Sequence, residues 1–503
     1  MLKKYFITTP IFYVNAKPHL GHVYSVLLAD AQNRFQKLRR NSSKESFFTT
    51  GTDEHGLKIQ QAAEKQQKTP KDFCDQVSSE FQSTFQNFNV HNDDFIRTTD
   101  ERHIKTVQEF WKNINGFLQK KSYSSWYCVQ DETFLTEHQI DKSKMVSLES
   151  GHPVEWAEEE NYVFPLEKFR PQVQKWVENS VYPVKFRSNL SGLLSETLPD
   201  LSVSRSSSRL QWGIPVPEDP SQTIYVWLDA LINYLTVVGY PNMKIWPPDC
   251  HVIGKDILKF HAIYWPSFLL AANLELPRKI LCHSHWTVNE EKMSKSKGNV
   301  VDPNSVAEEF ATHEGLRYFL LRQGVPHSDG NYVQDQLVNY INNDLANILG
   351  NLLNRLTSKG VNLNQNFYPI CTEFKSQEAE DLVKSLENLV DKVEIHFENF
   401  EFYRGIEEIM DTLRKVNFYV QAEEPWELKK LQKYEELGQV LNLSLNALRI
   451  CGILLQPIIP GLSDKLLTKL NVEERSFHNA KLLSQYNELH DLNPDKVTLF
   501  KKI

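Results

Sequence analysis

What most restricts this chain is a short apolar run that turns, within a few residues, into a histidine-bearing helix start. Tyr5-Phe6-Ile7-Thr8-Thr9 has the aromatic and β-branched make-up of a buried strand. His19-Leu20-Gly21-His22 follows, leading into a helix that starts near Val23 and is clearest over 27–38. A strand that feeds a helix N-terminus presents backbone N–H groups and a dipole to an anion. His19 and His22 are placed to donate hydrogen bonds to phosphate oxygens from that turn. Gly21 has no side chain, so a flat ring can lie against the backbone there. Far along the chain, Lys292-Met293-Ser294-Lys295-Ser296 lies in a Ser/Gly/Asn-rich stretch with Gly298 close behind. Such a loop can close over phosphates and bring cationic charge to where negative charge develops. Taken singly, the motifs also fit a buried histidine pair and a solvated lysine loop. Together they point to phosphate chemistry performed by positioning and electrostatics.

Composition sets the outer bounds. A length of 503 residues calls for several domains. With 41% hydrophobic and 24% charged residues the chain is globular, and its net charge of −8 gives no bulk attraction for nucleic acid. Any RNA-binding surface must then be a local basic patch. Six cysteines are scattered without a C-x-x-C pair, which favours free thiols over a disulfide framework. No membrane span is expected, because no uninterrupted apolar run is long enough. Met1-Leu2-Lys3-Lys4 leads straight into the first strand, which leaves no room for a leader peptide in this sequence.

Organisation changes along the chain. Residues 1–115 read as strand, turn, helix, strand and further helices, one of them over 69–88. The strand at 47–52 ends in Gly51-Thr52-Asp53-Glu54-His55-Gly56, and open α/β sheets carry functional groups at such carboxyl ends. Residues 116–195 hold short aromatic and acidic segments and read as an inserted β-rich module. The α/β pattern returns over 196–280, and 281–335 carries the lysine loop. From 336 the spacing of Leu, Ile and Asn is helical, and this last part is taken to run to 503. The expected fold is an α/β Rossmann-type nucleotide-binding domain with an inserted β-rich connective module, followed by an α-helical bundle.

The two motifs, in this order and with a large insertion between them, resemble the paired ATP-binding signatures of class I aminoacyl-tRNA synthetases. The resemblance narrows to the methionyl-tRNA synthetase family. It rests on the lead-in Thr9-Pro10-Ile11-Phe12-Tyr13-Val14-Asn15-Ala16-Lys17-Pro18, on 51–56, on 225–234, on Gly254-Lys255-Asp256-Ile257-Leu258-Lys259-Phe260-His261 and on Asp200-Leu201-Ser202-Val203-Ser204-Arg205. It implies ATP binding and catalysis by His19, Gly21, His22, Lys292 and Lys295. It also implies a methionine pocket of Ile11, Tyr13, Asp53, Trp227, Ala230, Leu231, Tyr234, Asp256, Phe260 and His261. Within that pocket Asp53 holds the substrate ammonium, and Arg205 pairs with a core carboxylate, Asp256. Aromatic rings suit a polarisable thioether, and the Tyr13 hydroxyl or a His261 nitrogen is a polar tip able to mark the sulfur. Plain core packing stays open for any one of these rings, as does helix capping or a structural ion pair for Asp53 and Asp256.

The C-terminal part is similar to the family's anticodon-binding helices. By that likeness Asn351 and Arg355, four apart on one helix face, offer groups to unpaired base edges, and Trp426 after Pro425 stacks on a splayed base. Helix-surface and core roles are the alternatives for these three. Many family members carry C-x-x-C pairs in the insert. Here Cys128, His138 and His152 cannot assemble four clustered ligands, so no structural zinc is expected. The implied partners are methionine, ATP with magnesium, and tRNA(Met). The chain ends soon after the bundle, so a monomer is expected. Strings such as Gln211-Trp212-Gly213-Ile214-Pro215-Val216-Pro217 resemble the mitochondrial branch and imply the mitochondrial matrix, with a bacterial cytoplasm as the alternative. Another class I synthetase, or a non-catalytic tRNA-binding descendant of one, is the rival reading.

Overall fold

The computed structural model describes residues 4–42, 45–128, 133–135, 137–148, 150–293, 298–367, 376–482 and 489–503. Six parallel strands form its central sheet: β1 (Tyr5–Tyr13), β2 (Ser46–Asp53), β3 (Asp94–Arg97), β4 (Val181–Tyr182), β5 (Cys250–Gly254) and β6 (Ile280–His283). Their order is β3-β2-β1-β5-β6-β4, so the winding reverses between β1 and β5. In open α/β sheets that reversal opens a crevice beyond the carboxyl ends of the strands, where ligands bind. Pro10 lies inside β1 and has no N–H to give the ladder, and the β1–β2 register shifts between Thr8 and Ile11. Beyond the shift, Ile11 faces Gly51 and Tyr13 faces Asp53. Gly51 must be glycine, because a Cβ there would lie 1.9 Å from the Ile96 carbonyl oxygen on β3.

Helices cover both faces of the sheet. On one side run α1 (Leu20–Arg40) and α2 (Pro70–Asn87). Asn41 closes α1 in the left-handed conformation, behind Lys37, Arg39 and Arg40 in the last turn. Thr69 caps α2 by accepting from the Asp72 N–H, with Pro70 in the first turn. The other face carries α3 (Glu101–Ile114) and α4 (Val226–Thr236). The insert is a four-stranded sheet of Gln119–Cys128, Thr133–Leu135, Glu155–Phe164 and Leu201–Ser202. It has a small core of its own, Cys128, Leu135, Ile140 and Val154.

The boundaries expected for that module need correction. Residues 165–195 do not belong to its sheet. They form helices Arg170–Ser180 and Lys185–Ser195, whose Val173, Val177, Phe186 and Leu190 pack into the core of the catalytic half. Between them β4 joins the central sheet as its edge, pairing with β6. The insert strand Leu201–Ser202, in turn, lies beyond the expected limit of 195.

After the lysine loop come α5 (Thr312–Gln323), a wide-turned segment Ile341–Gly350 running into helix Asn351–Thr357, and then α6 (Gln377–Glu398), α7 (Phe402–Glu423), α8 (Tyr434–Leu455) and α9 (Pro460–Lys469). Their apolar faces merge with those of α1 and α2 in one continuous core, so the bundle is packed directly on the catalytic half. Length and composition alone would let α8 cross a membrane, which differs from the sequence expectation, but 83% of its apolar window is buried inside the bundle. A core helix, apolar all round, has that composition for a reason internal to the fold.

Candidate active site

His19 and His22 build the start of α1 with their own rings. His19 is the N-cap, and its Nδ1 accepts from the Gly21 N–H at 3.1 Å. His22 Nδ1 accepts from the His19 N–H at 3.2 Å, completing a reciprocal capping box. The rings stack with centroids 3.7 Å apart, and Phe12 and Phe81 flank His22. An Nδ1 that accepts carries no proton, so in each neutral ring the proton sits on Nε2. The Nε2–H of each ring and the first backbone N–H groups of a long helix thus gather at one turn, beside the reversal between β1 and β5.

The same helix reaches toward the lysine loop. Ser25 Oγ lies 2.7 Å from Nε2 of His283, the last residue of β6, and Tyr24 packs edge-on against His283 and Trp286. Burial pushes the His283 imidazole down to about 4, so the ring is neutral near pH 7. Beyond it, Trp286–Val288 pairs with Glu291–Lys292, which puts Lys292 on an exposed hairpin edge. Lys295 lies outside the described residues.

On the other side of the crevice lies α4, packed against the segment that follows β5. Trp227 is stacked flat on Phe260, centroids 3.7 Å apart and planes 10° from parallel. The Tyr234 hydroxyl is 2.8 Å from His261 Nε2, and His261 Nδ1 is 3.0 Å from the Ile257 carbonyl. A carbonyl only accepts, so Nδ1 carries the proton and Nε2 accepts from the tyrosine. Both His261 nitrogens are thus engaged within the protein, Nε2 by the Tyr234 hydroxyl and Nδ1 by the Ile257 carbonyl. Burial holds this imidazole down to about 4. Beneath it Tyr234 lies over the buried His251, which Thr8 Oγ1 meets at 2.6 Å. Ala230 and Leu231 are buried in the same wall. Ile11 and Tyr13 alternate on β1 and, with Asp53 beside Tyr13, share one face of the sheet at its carboxyl end.

Similar proteins identify the family. A family described as "tRNA synthetases class I (M)" matches residues 5–357, and "Anticodon binding domain of methionyl tRNA ligase" matches residues 369–503. The chain belongs to the methionyl-tRNA synthetase family. It is 47% identical to a methionine–tRNA ligase, mitochondrial, of Homo sapiens, over 99% of this chain and 90% of that protein. A methionine–tRNA ligase of Rickettsia bellii is 39% identical over 96% of each chain. Among solved structures, the Mycobacterium tuberculosis methionyl-tRNA synthetase in complex with methionyl-adenylate superposes with a TM-score of 0.92 at 36% identity, covering 99% of this chain and 100% of that one.

Within the synthetase, Arg205 and Asp256 are not the pair the resemblance implied. The Arg205 guanidinium donates to Ser202 Oγ at 2.9 Å and to the Ser204 carbonyl at 2.8 Å, and lies over the rings of Phe134 and Tyr225. Its strand, Ser204–Ser206, places it in a small cavity lined also by Phe134 and Leu135 of the insert and by Tyr225, Lys259 and Tyr264. Asp256 is exposed and takes His285 Nε2 at 3.3 Å instead. In the bundle, Asn351 is exposed and donates to Asn347. Arg355 is half-buried and donates to Asn417 Oδ1 at 2.9 Å, while its Nε has no partner among the described residues. Trp426 is half-buried against the bundle core.

Sequence reasoning missed the buried polar groups that hold the site in place. Glu54, fully buried, accepts from Arg97 Nε and Nη2 at 2.7 and 2.9 Å, and from Thr52 and Thr99. Asp229, buried in α4, takes a histidine on each oxygen, His55 at 2.7 Å and His103 at 2.8 Å. Glu54, His55 and Asp229 all lie in segments that carried the resemblance, so their positions were in view but their partners were not.

Proposed function

We propose that this methionine–tRNA ligase divides its chemistry among the residues as follows. Methionine lies with its ammonium at Asp53 and its thioether among Trp227, Ala230, Leu231, Tyr234 and Phe260, over Ile11 and Tyr13. One carboxylate oxygen attacks the α-phosphorus of ATP, the bond to the bridging oxygen breaks, and pyrophosphate leaves with the electron pair. His19 and His22 donate from Nε2 to the phosphates, and Lys292, on the hairpin, together with Lys295 adds positive charge, so that negative charge is matched as it develops. The adenine lies against Gly21. Magnesium accompanies the ATP and is held by phosphate oxygens and water. The methionyl group then passes to the terminal ribose of tRNA(Met), whose anticodon meets Asn351, Arg355 and Trp426.

The observation that carries this reading is the histidine capping box. It fixes two N–H donors at a helix N-terminus beside the reversal in the sheet, opposite an aromatic wall that carries no charge. The test is ATP–pyrophosphate exchange measured with each of the twenty amino acids, followed by tRNA charging. Exchange should depend on methionine alone; equal or better exchange with another amino acid would overturn the pocket assignment.

The mitochondrial matrix is the compartment we favour, on the likeness to the human mitochondrial ligase, with the Rickettsia relative keeping the bacterial reading as the rival. Imaging of the tagged protein in its own cells decides between them. A monomer with a zinc-free insert completes the proposal.

A further inference from the structure

The pocket face of α4 has an opposite, and that opposite is anchored. At about 100° per residue, Trp227, Ala230, Leu231 and Tyr234 span about 100° of the helix circumference. Asp229 and Thr236 sit about 150° and about 170° around from the centre of that face. Both are buried, and both bind the same ring: His103 on α3 meets Asp229 Oδ1 through Nε2 at 2.8 Å and Thr236 Oγ1 through Nδ1 at 2.9 Å. The other Asp229 oxygen, Oδ2, takes His55 Nδ1 at 2.7 Å. His55 lies two residues beyond Asp53, in a segment already pinned by the Arg97–Glu54 pair and by the bond from Trp212 Nε1 to the Glu54 carbonyl. Thus one carboxylate, 1% exposed, ties the helix that carries the thioether wall to the loop that follows the ammonium site.

We propose that Asp229 is a specificity-determining positioning residue that, through His55 and His103, sets the distance between the ammonium end and the thioether end of the amino-acid pocket. The His103 fork onto Asp229 and Thr236 fixes the rotation of α4 about its axis. The His55 bond fixes its position relative to Asp53. A pocket closed by apolar contacts alone discriminates one methylene weakly. Charge-assisted hydrogen bonds in a low-dielectric interior are strong and directional, so they fix the orientation of a wall that packing alone leaves less specified. In support, burial opposes the Asp229 charge, yet the two imidazoles keep its carboxyl below the usual carboxylate range.

Asp229→Asn preserves the shape and leaves a single accepting oxygen. The readout is ATP–pyrophosphate exchange with methionine and with ethionine, which is one methylene longer. The expected result is a methionine KM raised tenfold or more, with kcat and the KM for ATP within threefold of wild type, and a kcat/KM ratio of methionine over ethionine that falls at least fivefold. A general loosening of the fold would move both substrates together, so parallel shifts in the two KM values, or an unchanged methionine-to-ethionine ratio, overturn the proposal. His55→Gln, which removes one bond only, must show the same split at smaller amplitude and decides the matter if Asp229→Asn does not fold. The proposal rests on the pocket assignment above, and Trp227→Ala separates the two. An unchanged methionine KM in Trp227→Ala rejects the pocket itself; a raised KM there beside an unchanged one in Asp229→Asn rejects only the anchor.

Discussion

Replacing Arg317 with leucine should loosen the joint between the two halves while sparing amino-acid activation. Arg317, on α5, has no exposed surface. Its guanidinium donates to Asp30 Oδ2 on α1 at 2.5 Å, to the Pro457 and Ile458 carbonyls at 2.8 and 2.6 Å, and to the Phe88 carbonyl at 3.3 Å. One side chain therefore joins the helix that begins with His19 and His22 to the turn between α8 and α9. One turn earlier on α5, Glu314 accepts from the first N–H groups of α9, Gly461 and Leu462. Removing one partner of a buried ion pair costs about 3–5 kcal/mol. Asp30 keeps Arg34 Nε and the His91 N–H, both at 2.8 Å, so its charge is not abandoned. The lower end, about 3 kcal/mol, is thus expected. Urea unfolding followed by far-ultraviolet circular dichroism measures that loss, and Arg317→Lys, which keeps the charge but not the fork, should recover part of it. Each 1.4 kcal/mol of the loss that reaches the alignment of the bundle is worth about tenfold in tRNA charging, while ATP–pyrophosphate exchange stays within threefold. Unfolding within 1 kcal/mol (about the spread of such measurements) of wild type would refute the stability argument. An exchange rate that falls as far as charging would refute the idea of a joint.

Four further outcomes are expected. His261 and His283 titrate near 4 in the folded chain and near 6.5 when unfolded, so the unfolded state binds more protons between those values. Stability should therefore fall as pH drops from 6.5 to 4, by up to about 3 kcal/mol for each ring, and a flat urea midpoint across that window would contradict their burial. Lys295→Ala should lower kcat for exchange by about 10²–10³ with little change in the KM for ATP; kinetics within threefold of wild type would remove this lysine from the site. Trp426→Ala should cut charging by one to two decades with exchange and melting unchanged if the ring stacks on a base, whereas a large fall in melting temperature would make it a packing residue, as its half-buried position allows. Elemental analysis of protein purified without added metal should find well under one equivalent of zinc, and a stoichiometric zinc atom whose removal abolishes activity would show that the insert was misread.

Much of the fold was readable because its signals are local. The run at Tyr5, the turn at His19 and the helices of residues 20–40 and 70–87 each declare themselves within one element, through periodicity, a cap or a terminal proline. What could not be read depends on partners far apart in the chain. Asp229 meets residues 126 and 174 positions away, and Arg317 meets Asp30 across 287. No window of sequence contains such pairs. The edge strand β4 is two residues long and carries no periodicity, so its membership in the central sheet was hidden, and with it the true extent of the insert. Arg205 failed for another reason. Its segment fixed which strand bears it, but the side of the strand it occupies was settled by Phe134 of the insert and Tyr225 at the start of α4, whose rings offer a guanidinium a face to lie on.

The imidazoles at the head of α1 cap the helix with the same two rings that, in the proposed function, meet the phosphates. A variant that removes either one uncaps the longest helix of the catalytic half, a loss of about 1 kcal/mol, before any reaction is attempted. An alanine at position 19 or 22 thus measures two things at once. Asparagine at 19 keeps an oxygen for the Gly21 N–H and separates them. On that proposal the order of the first helix and the aim of its phosphate donors are a single property, and selection acting on one necessarily acts on the other.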